Sequence, residues 1–143
     1  MKFDMAMLAY CGIYCEQCSV RTAAMEQNVM HIEHFPAKFN VDPSNLSEYA
    51  CEGCKGRNLC GPCKIKDCAV AKGLESCASC ANFPCSSIDA FGNDDIPHHH
   101  EAIENLKKIR SAGLASWFEN MSRKLRCHCG ERLSWYHACP NHP

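Results

Sequence analysis

Apolar residues recur at helical spacing in two neighbouring segments. From Glu101 to Arg110 they are Ala102, Ile103, Leu106 and Ile109; from Leu114 to about Leu125 they are Trp117, Phe118, Met121 and Leu125. Each set marks one apolar side of a helix, and Gly113 separates the two. Trp117 is assigned to the packed face. His98, His99 and His100 precede the first stripe and read as helix-start residues, because three consecutive helical positions point in different directions. A weaker stripe of Val20, Ala23, Ala24, Val29 and Ile32 predicts a helix from Val20 to about His34, capped by Ser19 and interrupted by Pro36. His31 and His34 read as cations at that helix's C-terminus. Residues 41–49 predict a turn and a short helical turn. Residues 86–97 predict a short helix and a loop broken by Gly92 and Pro97.

The stretch from Cys51 to Cys85 follows another rule. It holds eight of the chain's 14 cysteines and few apolar residues, chiefly Leu59, Ile65, Val70, Leu74 and Phe83. Cys60, Cys63 and Cys68 are spaced C-x2-C-x4-C, and Cys77, Cys80 and Cys85 repeat that spacing 17 residues on. Thiols two residues apart belong to a tight knuckle that can aim both sulfurs at one ion. A metal rather than an apolar core therefore organises this stretch. Lys55, Arg57, Lys64, Lys66 and Lys72 outnumber Glu52, Asp67 and Glu75 here; they read as cations offsetting thiolate charge, ahead of a phosphate-binding face.

Upstream, Cys11, Cys15 and Cys18 are spaced C-x3-C-x2-C. Radical enzymes that cleave S-adenosylmethionine use this spacing, but they need a barrel of roughly 200 residues or more, and only 125 residues follow Cys18. Two of the three thiols read as structural ligands. Downstream, Cys127-His128-Cys129-Gly130 and Cys139-x2-His142 form two further knuckles flanking a strand-like Leu133–His137, which predicts a small zinc-ribbon-like hairpin. His142 is preferred over His137 because its spacing from Cys139 repeats the knuckle.

The segments at 11–18, 51–54, 63–85 and 105–121 together resemble a family of small cysteine-rich proteins from bacteria and archaea, domain of unknown function number thirty-seven ninety-five. The resemblance implies metal binding and supplies no activity. Some relatives end in a ribbon with two C-x2-C pairs; this chain has C-x-C at Cys127 and Cys129, and His142 in place of a last cysteine. The doubled repeat also resembles the two-zinc, six-cysteine clusters of fungal transcription factors, with each arm two residues shorter and no basic DNA-reading helix.

A ligand count assigns Cys15, Cys18, Cys51 and Cys54 to one zinc. It assigns Cys60, Cys63, Cys68, Cys77, Cys80 and Cys85 to two more, and Cys127, Cys129, Cys139 and His142 to a fourth, leaving Cys11 over. A cross-brace joining Cys51 and Cys54 to Cys77 and Cys80 is equally compatible with the spacing. The formal charge balance of 15 basic and 16 acidic residues would move by about −5 on such ligation, which argues against a nucleic-acid binder driven by net charge. Asp4 and the short apolar runs near the N-terminus do not read as a secretory signal, and no stretch reaches the ~20 apolar residues of a membrane span. Cytoplasmic location, where thiols stay reduced, is the expectation.

The fold expected is mainly α, with irregular metal-stapled loops and a small C-terminal zinc-ribbon-like hairpin. Residues 1–92 would form a cysteine-rich metal-binding domain, 93–126 a helical segment packed on it, and 127–143 the tail. Closed thiolate sites leave no position open for water or substrate, and no triad, phosphate loop or catalytic carboxylate pair is evident. The function expected is a non-catalytic zinc scaffold for a macromolecular partner, with a protein partner possible and nucleic acid disfavoured by net charge. The alternatives are an iron–sulfur electron carrier and a thiol sensor or enzyme using Cys11, although the ferredoxin run C-x2-C-x2-C-x3-C-P is lacking and no cation neighbours Cys11 in sequence.

Overall fold

A computed structural model describes residues 4–56 and 63–142. The helices are α1 (Ser19–Glu26), α2 (Lys64–Ala71), α3 (Ser86–Gly92), α4 (Pro97–Ala112) and α5 (Leu114–Arg123), joined by short 3-10 turns and loops. The mainly helical expectation holds. The C-terminal hairpin does not: among the described residues extended pairing is limited to isolated bridges, Leu8 with Tyr14, Arg126 with Arg132 and Ser134 with His137. The expected strand folds back on itself. Ser134 N–H donates to His137 O and His137 N–H to Ser134 O, both at 3.2 Å, so the segment makes a tight turn. No described helix is long and apolar enough to cross a membrane.

The chain divides into two compact units. The first comprises Met1–Tyr14 and Glu52–Asn120, and the second Cys15–Cys51 and Met121–Pro143.

In the first unit the stripes predicted for α4 and α5 are buried: Ala102, Ile103, Leu106, Trp117 and Phe118 join Leu8, Ile88 and Ile96. The histidine run falls in the first turn of α4, as expected, behind Ile96 as N-cap and Pro97. The loop before Tyr14 docks on α4 through Gly12. Its φ of +98° lies in the left-handed region, and a Cβ there would stand 2.2 Å from Ala102 O. Asn105 Nδ2 donates to Gly12 O at 2.9 Å and Asn105 Oδ1 accepts from Trp117 Nε1 at 3.3 Å. Tyr14 meets the Trp117 ring edge-on, with centroids 5.2 Å apart. The helix α2 was not anticipated within the cysteine stretch. Cys63 is its N-cap, and Ile65 and Ala69, four residues apart, are its buried side.

In the second unit α1 stops at Glu26, well short of His34, because Gln27 takes a left-handed conformation. Asn28 then caps a separate 3-10 turn, Val29–Ile32, accepting from Met30 N–H. Ser19 is not the N-cap of α1; Cys18 holds that position and Ser19 is buried in the first turn. Its hydroxyl instead donates to Ser134 Oγ at 2.9 Å and accepts from Tyr136 N–H at 3.0 Å. Ser134 Oγ lies 2.7 Å from His31 Nδ1. His31 is fully buried. Burial first, then His137 and Arg132, lower its pKa to about 4 against the opposing pull of Glu131. His31 is thus a neutral interior side chain rather than a helix-end cation. Arg21 bonds Cys51 O at 2.8 Å and Glu16 at 3.2 Å, anchoring the second unit's last thiol-bearing residue before Glu52.

Two predictions follow from the first unit's packing. Gly12→Ala should lower stability by at least about 3 kcal/mol, through forbidden torsion and a backbone clash. Gly113→Ala, where a Cβ meets nothing within 4 Å, should cost only the torsional part. Urea titrations of both would check this, and equal losses would mean that the docking of Gly12 is not needed.

The second concerns His98, which is buried with a pKa lowered to about 4 by burial and by His99, opposed by Asp94. Between pH 6.5 and 4 the unfolded chain binds a proton that the folded chain does not. The stability due to neutral His98 is therefore complete above the unfolded pKa and is lost as pH falls toward 4. From pH 7 to 5 the loss should be about 2 kcal/mol. His98→Gln should lack that increment relative to the parent protein, both losing whatever acid costs their thiols. Parallel unfolding curves at the two pH values measure it.

Candidate metal centre

The second unit gathers a ligand set at the C-terminal tail. A left-handed Gly130 (φ +96°) turns the chain after Cys127, and its N–H donates to Cys127 O at 2.8 Å. Cys127 N–H in turn donates to Glu131 O at 2.8 Å, closing the knuckle. His142 N–H donates to Cys139 O at 3.3 Å in the opposite knuckle. One ligand atom from each of Cys127, Cys129, Cys139 and His142 lies within 4.8 Å of all the others. Cys129 and Cys139 sulfurs are 3.5 Å apart, and His142 Nδ1 is 3.4 Å from Cys127 Sγ and 3.6 Å from Cys139 Sγ. A tetrahedral ion with metal–sulfur bonds of ~2.3 Å and a metal–nitrogen bond of ~2.0 Å requires ligand separations of roughly 3.5–3.8 Å. Three of the six separations lie close to those values and the others are within 4.8 Å, so the donor set suits a tetrahedral ion, with His142 presenting Nδ1.

His142 rather than His137 belongs to this set. His137 Nε2 lies 3.1 Å from Glu131 Oε1 and its ring packs against His31 at 4.4 Å. His128 Nδ1 approaches Cys127 Sγ at 3.6 Å and its ring lies 4.1 Å from that of His142, so it flanks the four ligands.

Elsewhere the predicted ligands are placed as follows. Cys15, Cys18 and Cys51 lie in the second unit, and Cys11 and Cys54 in the first. Cys54 Sγ accepts from Tyr10 N–H and sits in the field of Cys63, Lys66 and Lys55, while burial raises its pKa. Tyr10 O accepts from Cys77 N–H at 2.9 Å, so the backbone of one residue touches two thiol-bearing residues. Cys63 Sγ accepts from Lys66 N–H at 3.5 Å. Cys60 lies outside the described residues. Cys77 is buried, its pKa raised to about 11 by burial and by Cys85, Cys80, Cys68 and Cys63 in decreasing order. Cys80 is shifted downward by Asn82 N–H on its sulfur, with help from Lys72.

These observations establish a cysteine-rich helical chain with a possible metal site near its C-terminus. A family model described as "Protein of unknown function (DUF3795)" matches residues 7–90, more than half of the chain. The chain belongs to this family. No curated protein and no solved structure matches it. The family's matched span ends before the tail, so Cys127, Cys129, Cys139 and His142 lie beyond the part of the chain that the family defines.

Of the groups that surround the sulfurs, sequence reasoning anticipated lysines and missed Arg110. Lys72 Nζ lies 3.5 Å from Cys80 Sγ, which bears out the reading of lysines as thiolate counterions at that one position. Arg110, from the end of α4, donates to Ala78 O at 2.6 Å and Cys80 O at 3.1 Å and covers the Phe83 ring at 5.1 Å. It grips the Cys77–Cys80 knuckle from 30 residues away. The only sequence signal was an arginine on the last turn of a predicted helix, which ordinarily reads as a dipole partner.

His142→Ala should remove one ligand and weaken binding of cobalt(II), added as a spectroscopic probe, at least tenfold at the tail; His137→Ala should leave the cobalt spectrum of that site unchanged. Titration followed between 300 and 750 nm distinguishes them, and the reverse order would exchange the two histidines' roles.

Proposed function

We propose that the protein is a non-catalytic zinc-binding scaffold that presents a surface to a protein partner. One observation carries this reading: three thiols and one imidazole converge at the tail, with their ligand atoms within 4.8 Å of one another. Four protein ligands complete such an ion's coordination, leaving no open position for substrate or activated water, as is typical of structural rather than catalytic zinc. Bound zinc would order a segment whose described residues form only isolated bridges.

Support for a protein partner comes from the second unit. Met25, Val29, Met30 and Phe39 are 57%, 48%, 41% and 44% exposed, all within one short span of sequence. Large apolar side chains left in water in such number are a mark of interaction surfaces. The near-neutral formal charge, shifted further negative by thiolate ligation, favours a protein over a nucleic acid.

The test is elemental analysis of the full-length protein, purified without oxygen, beside Cys129→Ser. The expected result is zinc in the parent protein and one zinc fewer per chain in the variant, with no activity appearing when zinc is restored. Iron with acid-labile sulfide released from the tail, or a parent and variant with equal zinc, would overturn the zinc assignment.

A further inference from the structure

The second unit holds a cleft of about 270 Å³, just below the ~300–1,000 Å³ of sites for drug-sized ligands. Three arginines line it, Arg21, Arg126 and Arg132, together with the carboxylates of Glu16 and Glu26. Arg21 and Glu26 stand on α1, and Glu16 on the 3-10 turn before it. Arg126 and Arg132 face each other across an antiparallel bridge. The bonds on either side of that bridge run from Leu133 N–H to Leu125 O and from Cys127 N–H to Glu131 O, both at 2.8 Å. Arg126 and Arg132 are therefore a pair without mutual backbone bonds. Such pairs bring the Cα atoms to ~4.5 Å and put both side chains on one face. Like charges directly opposite one another are unfavourable there.

The two carboxylates do not balance the three guanidinium groups. Arg21 and Arg132 have side chains only 14% and 15% exposed, and they share one carboxylate. Arg21 Nη1 lies 3.2 Å from Glu16 Oε1, and Arg132 Nη2 lies 3.4 Å from Glu16 Oε2. Arg126 meets Glu26 at 3.5 Å, but these side chains are 58% and 38% exposed. An exposed pair of that kind holds its partner weakly. One positive charge is left over. Donors are left over too. Arg21 spends Nε on Cys51 O and Nη1 on Glu16. Arg132 spends Nη2 on Glu16 O and Oε2, and Arg126 spends Nη1 on Gly130 O. Among the described residues, Nη2 of Arg21 and Nη1 of Arg132 take no partner.

We propose that this cleft binds a phosphate group, either free phosphate or the monoester of a small molecule. The planar guanidinium fork matches the oxygens of phosphate and holds them by charge-assisted bonds. A tetrahedral anion offers oxygens in several directions, which suits forks arriving from α1 and from the tail bridge together. A carboxylate offers two oxygens in one plane. Met25 also lines the cleft and is 57% exposed. It lies four residues from Arg21, on the same side of α1, and gives an apolar wall for the body of an ester. Glu16 keeps Arg21 and Arg132 in place. Glu26 competes with the ligand for Arg126 and gives way on binding, because its own pair with Arg126 is exposed. All of these residues belong to the second unit, and none is a ligand of the tail site.

Titration of the full chain at low ionic strength, where attraction between guanidinium and anion is least screened, tests the site. Inorganic phosphate and phenyl phosphate are the probes, benzoate is the carboxylate control, and amide resonances of isotope-labelled protein are the readout. The expected result is saturable binding of one phosphate probe per chain with Kd below about 1 mM. The shifts should centre on residues 16–26 and 125–133. Equal affinity for the two probes marks free phosphate as the ligand, and tighter phenyl phosphate marks a monoester; both support the site. Arg126→Gln, at an exposed position that the fold tolerates, should weaken binding at least about tenfold. Glu26→Gln should tighten it, because the competing carboxylate is gone. An ion-pair network with a purely structural role gives no such gain. Failure of both probes to saturate, shifts scattered over the surface lysines, benzoate bound as tightly as phosphate, or a Glu26→Gln protein that binds no better would overturn the proposal. Both variants retain Cys127, Cys129, Cys139 and His142, and their metal content is measured in parallel. Phosphate affinity that follows the metal content instead of Arg126 would place the anion on a tail ion and would also overturn it.

Discussion

Three sulfurs and an imidazole drawn together at the tail, in a segment whose described extended pairing is limited to isolated bridges, set the constraint from which its local structure follows. At the tail four ligand atoms share a space within 4.8 Å, although Cys129 and His142 are exposed. Thiols in such positions gain little from one another, and thiolates repel. A divalent ion reverses the sign of that interaction, and Coulomb attraction at a few ångströms is large wherever water is partly excluded. The local chain can then be spent on turns and knuckles, not strands. The helices α4 and α5 obey the ordinary rule instead: Leu106, Trp117 and Phe118 are almost completely removed from water.

Several sulfurs are oriented by hydrogen-bond donors of the polypeptide itself. Backbone N–H groups of Tyr10, Lys66 and Asn82 reach Cys54, Cys63 and Cys80. Two of these donors lie two or three residues beyond the cysteine they serve, as a tight knuckle dictates. The third, Tyr10, comes from the N-terminal loop, which Gly12 fixes to α4. The same helix supplies Arg110 to the carbonyls of the Cys77–Cys80 knuckle. Rigid apolar packing thereby sets the orientation of residues whose own segments are poor in apolar contacts, much as outer-shell groups orient ligands in metalloproteins generally.

What could be read from sequence divides along the same line. The stripes of α4 and α5 were legible because burial on one side of a helix writes itself as a 3.6-residue period. The grouping of Cys127, Cys129, Cys139 and His142 at the tail was legible because knuckle spacing is short and local. The hairpin was misread because strand propensity in Leu133–His137 ignores a turn that consumes both backbone partners of Ser134 and His137. Ser19 looked like a cap and His31 like a surface cation, since neither shows in sequence that Ser134, more than 100 residues away, meets both. Likewise α2 was hidden because its polar residues and thiols carry no clear stripe, only Ile65 and Ala69 on its inner side.

The distribution of metal-binding chemistry along the chain bears on how its stability is built. The family match ends at residue 90, whereas the tail ligands begin at Cys127. Between them run α4 and α5, whose buried side chains need no ion. Each ligand set contributes binding energy only to the conformation of the segments that supply it. Proteins open in local cooperative units whose free energies differ. An ion held at the tail would therefore order the tail without being a condition for the packing of Leu106 and Trp117, and the knuckle around Cys77 and Cys80 has its own anchor in Arg110.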